Sequence, residues 1–386
     1  MDTSTRTRIA RAVSRARDPR LAVQELEAGL RLTKTGLGFF FCSRTFDLDV
    51  LARELRERFK DVPLIGCTTA GEITPEGYLD ETITGAALPA NDFHVATVLI
   101  RDLDRFSVSD APRLCARLAG QLGRDLGAIT PQNTFGFLLI DGLSMREEIV
   151  VSSIYNSLGQ IPIFGGSAGD GLKFERTRIY AEGAFHGNAA VFALIHATRP
   201  FTVFKSQHFV ATARKMVVTG ADVARRVVTE INGAPAAEEY AGLVGVPVTE
   251  LSPVIFATHP VVVRIGGADY VRSIQSVRPD GSMTFYCAID EGLVLSLADS
   301  IDLVDSLGAL FRQVHDAVGA PELVIGCDCI LRKLEMERCG LTPRVNRLFT
   351  ENNVIGFGTY GEQYHAMHIN QTFSGVAIGA GDARHA

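Results

Sequence analysis

Four histidines and a pair of closely spaced cysteines are the residues of this chain best suited to chemistry. His259 lies in FATHP at 256–260. His365 and His368 lie in YGEQYHAMHINQT at 360–372, with Met367 beside the second. His208 lies in KSQHF at 205–209. A neutral imidazole near apolar residues satisfies buried hydrogen-bonding groups, and it is also what a haem iron takes as an axial ligand. Both readings stay open on the residues alone. Cys327-Asp328-Cys329 sits just after an apolar strand. Two such thiols suit a soft metal or a redox pair. Structural zinc, however, wants C-x₂₋₄-C and a second pair. Cys339, His365 or His368 would have to complete the set from a distance.

No catalytic group is legible. The chain has no G-x-S-x-G elbow and no H-E-x-x-H. Glu72, Asp141, Asp170 and Glu362 are carboxylates that a repeat could pool at one mouth. Helix capping and turn binding account for them without a reaction.

These residues are positioned by a repeat. Leu64–Glu72 reads LIGCTTAGE, Ile163–Gly171 reads IFGGSAGDG, and Val354–Glu362 reads VIGFGTYGE. Each is a short apolar run, then glycine and small residues, then a second glycine beside an acid. Upstream of each lies a strand followed by a helix. Strands are expected at 38–42, 134–140 and 322–325, and helices at 50–60, 145–158 and 330–349. The three units therefore read as βαβ crossovers, right-handed in nearly all sheets. Further apolar strands follow at 83–100, 188–196 and 371–379. The glycine runs lack the lysine of a P-loop and open no helix, so a nucleotide cradle is not indicated. Loops at strand carboxyl ends do line ligand clefts in open α/β sheets.

Thr198–Pro200 reads as a boundary. Beyond it, 201–297 carries several short strands, a Pro279-Asp280-Gly281 turn and a short helix at 235–243. The fold class is α/β: repeated βαβ units, mixed sheets and an additional strand-rich segment. The expected division is a basic N-terminal helical segment (1–28), a first domain (29–199), a second (200–380) and a tail (381–386).

Composition agrees with a globular chain: 46% of residues are hydrophobic and 21% charged. A net charge of -6 excludes a general basic surface for nucleic acid. Seven cysteines in no framework spacing suggest free thiols and a reducing compartment. No apolar run is long enough to span a membrane. The arginine-rich start has no apolar core of a secretory signal. Exposed sheet edges would permit a homodimer.

From residue 30 to 380 the sequence resembles the FIST family of bacterial sensor proteins, which carry consecutive FIST N and FIST C parts. The resemblance rests on LIGCTTAGEI at 64–73, FGGSAGDG at 164–171, YGEQ at 360–363 and HINQT at 368–372. Ile369 separates His368 from Asn370 where the family string runs His-Asn-Gln-Thr. ATHPVVVR at 257–264, IGCDCILR at 325–332 and YGEQYHAMHINQTF at 360–373 are most similar to the nitric-oxide-sensing branch. That resemblance implies a cytoplasmic, non-enzymatic sensor holding haem b, with nitric oxide or haem itself as the signal. No output domain is legible, so the resemblance implies a separate partner: a sensor histidine kinase, or a diguanylate cyclase or phosphodiesterase. The axial ligand would be His259 or His368, with His208 third. Arg264 and Arg272 would meet the propionates, and Met367 would lie beside the ring. Two other readings remain: a receptor for another small metabolite, such as an amino acid, and a thiol or metal protein built on Cys327 and Cys329.

Overall fold

The computed structural model describes residues 8–32 and 34–381. Three successive repeats fold alike. The first contains β1 (Ala10–Ser14), α1 (Pro19–Leu30), β2 (Thr35–Cys42), α2 (Leu48–Arg58), β3 (Leu64–Thr68), the hairpin β4 (Glu72–Thr74) and β5 (Gly77–Leu79), and β6 (Ile83–Pro89). The second contains β7 (Phe93–Ile100), α3 (Ala111–Gln121), β8 (Thr134–Ile140), α4 (Glu147–Leu158), β9 (Ile163–Ser167), the hairpin β10 (Ile179–Ala181) and β11 (Ala184–His186), and β12 (Ala190–Ala197).

The third opens with β13 (Phe201–Ser206) and is then interrupted by a lobe. The lobe contains β14 (Phe209–Asp222), β15 (Val227–Ile231), β16 (Ala234–Pro235), α5 (Ala236–Val244), α6 (Pro253–Thr258), β17 (Val261–Ile265), β18 (Ala268–Arg272), β19 (Ile274–Val277), β20 (Met283–Phe285) and β21 (Val294–Ser300). The repeat resumes with α7 (Leu303–Val318), β22 (Pro321–Cys329), α8 (Ile330–Arg338), α9 (Thr342–Glu351), β23 (Val354–Thr359), the hairpin β24 (Glu362–Tyr364) and β25 (Met367–Ile369), and β26 (Phe373–Gly379).

Each repeat builds a six-stranded mixed sheet, and the three sheets share one core. Period-2 alternation decides which side chains reach it. In β2, Phe39 and Phe41 enter the shared core while Phe40 and Cys42 face α1 and α2. In β8, Phe135, Phe137 and Leu139 point inward while Leu138 and Ile140 face α3 and α4. In β22, Leu323, Ile325 and Cys327 point inward while Val324 joins the cluster under α7 and α9. Stacked rings tie the sheets together, Phe41 to Phe357 at 4.5 Å between centroids.

The glycine runs are the places where the chain changes sheet. The β4–β5 hairpin of the first repeat pairs with β23 of the third, β10–β11 of the second with β3 of the first, and β24–β25 of the third with β9 of the second. The exchange is cyclic and closes three sheets into a ring. The three crossovers meet backbone to backbone: Ala70 N donates to Gly358 O at 2.8 Å, Gly169 N to Thr68 O at 3.0 Å, and Ser167 N to Gly361 O at 2.9 Å. A Cβ on Gly358 would fall against the carbonyl of Ala70, and one on Gly169 against the amide of Ala70. Close backbone approach, rather than anion binding, explains these glycines.

The lobe is a separate sheet in the order β18-β17-β21-β14-β15-β20-β19, with β16 beside β15. Its two edge strands are joined through Ser273 alone, so the sheet curls until it is nearly closed. It stands where the first two repeats pass directly from an edge strand to a helix.

Three local expectations need correction. Part of the N-terminal stretch expected to be a basic helix is strand β1, paired antiparallel with β6; Arg6 lies outside the described residues. The segment's helix is α1, capped by the Asp18 side chain, which accepts from Arg20 N and Leu21 N. Cys327 to Cys329 is the end of β22, not a loop after it. The helix expected at 330–349 is two helices, broken at Gly340, which sits at φ 65°.

Candidate functional site

The structure separates the residues singled out by type. His208 is buried between β13 and β14. Its Nε2 faces Glu335 at 2.7 Å and its Nδ1 faces Arg332 at 2.7 Å, so both ring nitrogens are occupied. It belongs to a buried network in which Arg332 Nε donates to Asp328 at 2.6 Å and Tyr78 OH donates to the same carboxylate at 2.9 Å. Burial lowers the His208 pKa and raises that of Asp328. Paired and hydrogen-bonded in this way, the charges are tolerated inside the ring. Arg264 lies exposed on the β17–β18 hairpin and is paired to Asp269 at 2.8 Å. Cys327 faces the shared core, and Cys329 faces an apolar cluster under the lobe. Burial pushes both thiols well up, which disfavours the thiolate. Among the described residues no group of three or more His, Cys, Asp or Glu is placed to hold a metal ion.

His259 is the C-cap of α6, immediately before β17, and is half-buried. Its Nδ1 is 3.0 Å from Thr258 Oγ1 and 3.3 Å from Ile255 O. Tyr240 OH donates to its backbone carbonyl at 2.6 Å. Met367 opens β25 opposite Tyr364. His365 occupies the hairpin turn at φ 54°, with its ring against Tyr155 and Tyr364.

His368 and Arg272 meet where the lobe docks on the ring. Arg272 Nη1 lies 3.5 Å from the His368 carbonyl. The docking itself is polar. Arg226 Nη2 donates to Glu147 at 2.6 Å and to Glu148 at 2.5 Å, both at the start of α4, while its Nη1 donates to Tyr286 O at 2.6 Å. Ala288 N donates to Glu148 at 2.6 Å. From the ring, Gln371 Nε2 donates to Ala257 O at 3.0 Å at the end of α6. Beside these contacts, Tyr286 and Ala257 of the lobe close over Tyr360, Ala70 and Leu331.

Around this junction several buried polar atoms are left without partners among the described residues. They are His368 Nε2, Gln363 Oε1, Asn370 Oδ1 and Gln371 Oε1 from the ring, and Arg272 Nε and Ser273 Oγ from the lobe. His368 and Asn370 flank Gly361 together, since a Cβ there would strike both side chains. The intervening Ile369 is buried in the opposite sense. Its presence therefore keeps His368 and Asn370 on one side of the chain. Burial lowers the His368 pKa against the opposing pull of Glu148 and Glu147, so the ring is held neutral.

A FIST N domain model matches residues 36–234, and a FIST C domain model matches 236–365. The chain belongs to the FIST family. No curated protein matches it. FIST domains are sensory domains that bind small ligands in signalling, not catalytic ones. The two FIST models meet inside the lobe, at β16: the FIST N match runs from β2 through the second repeat into the first lobe strands, and the FIST C match takes the rest of the lobe and α7 to β24 of the third repeat. No described helix is long and apolar enough to cross a membrane.

Residue types alone missed Arg226, Glu147, Glu148, Gln363 and Ser273. The one signal that pointed at the junction is HINQT, a polar string set directly before the fully buried strand β26.

Proposed function

We propose that this FIST protein is a ligand-binding sensor whose ligand seats between ring and lobe. Binding changes how firmly the lobe docks, and a separate regulatory protein, such as a sensor histidine kinase or a cyclic-di-GMP enzyme, reads that change. The six unpartnered polar atoms at the junction carry this reading. Each buried polar group left unmatched costs roughly 1–3 kcal/mol. Six of them would approach the whole stability of an ordinary domain, about 5–15 kcal/mol. A bound molecule that supplies the missing hydrogen bonds removes that cost.

The chemistry of the cluster selects the ligand class. Four of the six atoms are side-chain amide or hydroxyl oxygens, and Arg272 contributes a guanidinium N–H. The match is a small polar metabolite with several N–H or O–H groups and one carboxylate, such as an amino acid.

A second reading, haem with nitric oxide read at ferrous iron or haem itself as the signal, is favoured by the free Nε2 of His368 and by the orientation of His259. The surroundings of His368 do not fit the group: Gly361 packs on the ring, and Gln363, Asn370 and Arg272 are polar where haem needs an apolar slot. His259 fits better. Its Nδ1 is held at the end of α6, which leaves Nε2 as the ligating nitrogen. Haem there would supply an iron for a diatomic gas.

One pair of titrations separates the readings. A thermal-shift series with polar metabolites is expected to raise the melting temperature of the wild type by more than that of His368→Ala or Asn370→Ala. Haem added to the same protein, reduced and exposed to nitric oxide, is followed by its Soret band. Saturation at one haem per chain, lost in His259→Ala, would transfer the ligand assignment to haem. Failure of both titrations would overturn the sensor reading.

A further inference from the structure

The cyclic exchange of hairpins gives the ring three pseudo-equivalent mouths, each at the carboxyl ends of a parallel strand pair. The lobe covers the region where the second and third repeats open, through Arg226, Tyr286 and Ala288. The mouth of the first repeat carries no lobe residue. It is a cleft of about 350 Å³ whose walls come from all three repeats: Arg44 after β2, Gly71 and Glu72 after β3, Asp80 before β6, Lys173 after β9 and Lys333 on α8. Small-molecule pockets occupy roughly 300–1,000 Å³.

The side chains around it are built rather than scattered. Lys333 is largely buried although charged, with its ammonium 2.5 Å from Asp80 and 3.8 Å from Glu337. Asp80 itself is exposed at the rim. Arg44 is held against Asp170 at 3.5 Å and Glu175 at 3.3 Å. Asp170 is fully buried and accepts from three successive backbone amides, Phe174, Glu175 and Arg176, which fixes the loop that carries Lys173. Gly71 sits at φ 116°, and a Cβ there would strike the Lys333 ammonium, so the glycine keeps the lysine in place beside the cleft. Glu72 lies on the floor, almost fully buried, accepting from Thr82 N at 3.0 Å.

We propose that this open mouth is a second ligand site, distinct from the ring–lobe junction, and that it takes a small zwitterion with one carboxylate and one ammonium group. Lys333 and Arg44 are the cations for the carboxylate. Asp80, released from Lys333 by the incoming carboxylate, is the acid for the ammonium. A simple anion would find acids around the cleft, and a simple amine would find cations. A molecule carrying both charges satisfies both sets. Because all three repeats line the cleft, its occupant braces the crossovers on which the ring closes.

Isothermal titration of the full chain with each of the twenty common L-amino acids, with propionate and propylamine as singly charged controls, tests the proposal. At least one amino acid should bind saturably while both controls give no heat. Lys333→Gln, Arg44→Gln and Asp80→Asn should each weaken that binding by about tenfold or more. Arg264→Gln, exposed on the β17–β18 hairpin and in neither site, should leave it within about twofold of the wild type. Far-UV circular dichroism checks each variant, and the exposed Asp80 offers the substitution least able to disturb folding. No binding by any amino acid at millimolar concentration would overturn the proposal. So would binding that survives all three cleft variants, or binding lost in His368→Ala but not in them. That last outcome leaves the junction reading standing, so the two sites fail separately.

Discussion

Arg226→Met is expected to undock the lobe while the ring stays folded. Arg226 is 6% exposed, and its guanidinium is shared by Glu147, Glu148 and the Tyr286 carbonyl. Burial pulls its pKa down, but the two carboxylates more than reverse this and raise it. Removing the cation leaves Glu147, itself 1% exposed, without its counter-charge. Breaking a buried pair from one side costs about 3–5 kcal/mol, because the remaining charge stays desolvated. The loss falls on the interface, since the ring's core clusters contain no lobe residue apart from the small group at Tyr286 and Ala257. Hydrogen exchange should show faster exchange at the β20–β21 connection and the start of α4, with β2, β8 and β22 unchanged. The double variant Arg226→Met/Glu147→Gln should recover part of the loss, because it removes the stranded charge. An exchange pattern identical to wild type would mean that the apolar contacts alone dock the lobe.

Glu72→Gln is expected to abolish a pH dependence of stability between about pH 4.5 and 7. Burial is the largest influence on Glu72 and raises its pKa from 4.5 to about 7; hydrogen bonds from Thr69 and Thr82 oppose the rise, and Asp80 adds to it. The folded state therefore holds a proton that the unfolded chain has released. Glu72 contributes fully to stability below pH 4.5, and that contribution is lost as pH rises through the folded value near 7. The size is roughly 3 kcal/mol at a cost of about 1.4 kcal/mol per pKa unit. Other groups titrate as well. Glu362 is raised by burial and acts in the same sense, whereas His368 and His208 are lowered and act in the opposite one. The difference between wild type and Glu72→Gln isolates the one carboxyl. Denaturant melts from pH 4 to 8 should show the variant gaining on the wild type as pH rises and overtaking it near neutrality. A difference that stays flat across this range would place Glu72 in a solvated environment.

Much of the ring was legible because its signals are local. The continuous apolar runs GFFFC at 38–42 and TFGFLLI at 134–140, and the three glycine runs, identify β2, β8 and the crossovers by pattern alone. The hairpins were not legible. β4, β10 and β24 are three residues long, too short to show a period, and each pairs with a strand of another repeat. Their exchange is what turns three βαβ units into a ring, so a division of the chain at residue 200 conceals the threefold arrangement. The lobe's strands were visible, but its insertion between β13 and α7 was not, because β13 reads like one more lobe strand until its pairing with β26 is seen.

The site divides in the same way. His368 was marked by the string around it, and Arg272 by its charge. Their meeting depends on docking two segments 96 residues apart. His208 illustrates the opposite case. Its neighbours in sequence, Gln207 and Phe209, do not mark its partners: Glu335 and Arg332 lie on α8, 127 and 124 residues away, and they give it a structural role. Arg226 carried no sequence signal at all. It follows another arginine in an ordinary turn, and its partners Glu147 and Glu148 lie 79 and 78 residues away on α4.

The central claim is that the buried polar atoms at the ring–lobe junction are the walls of a ligand site. The most direct measurement is a high-resolution crystal structure of the protein grown with the metabolite that gives the largest thermal shift. The account predicts continuous density for one molecule contacting His368 Nε2, Asn370 Oδ1 and Arg272 Nε, with Arg226 still bridging to Glu147. Ordered waters alone at those three atoms, with the metabolite bound elsewhere or not at all, would contradict it.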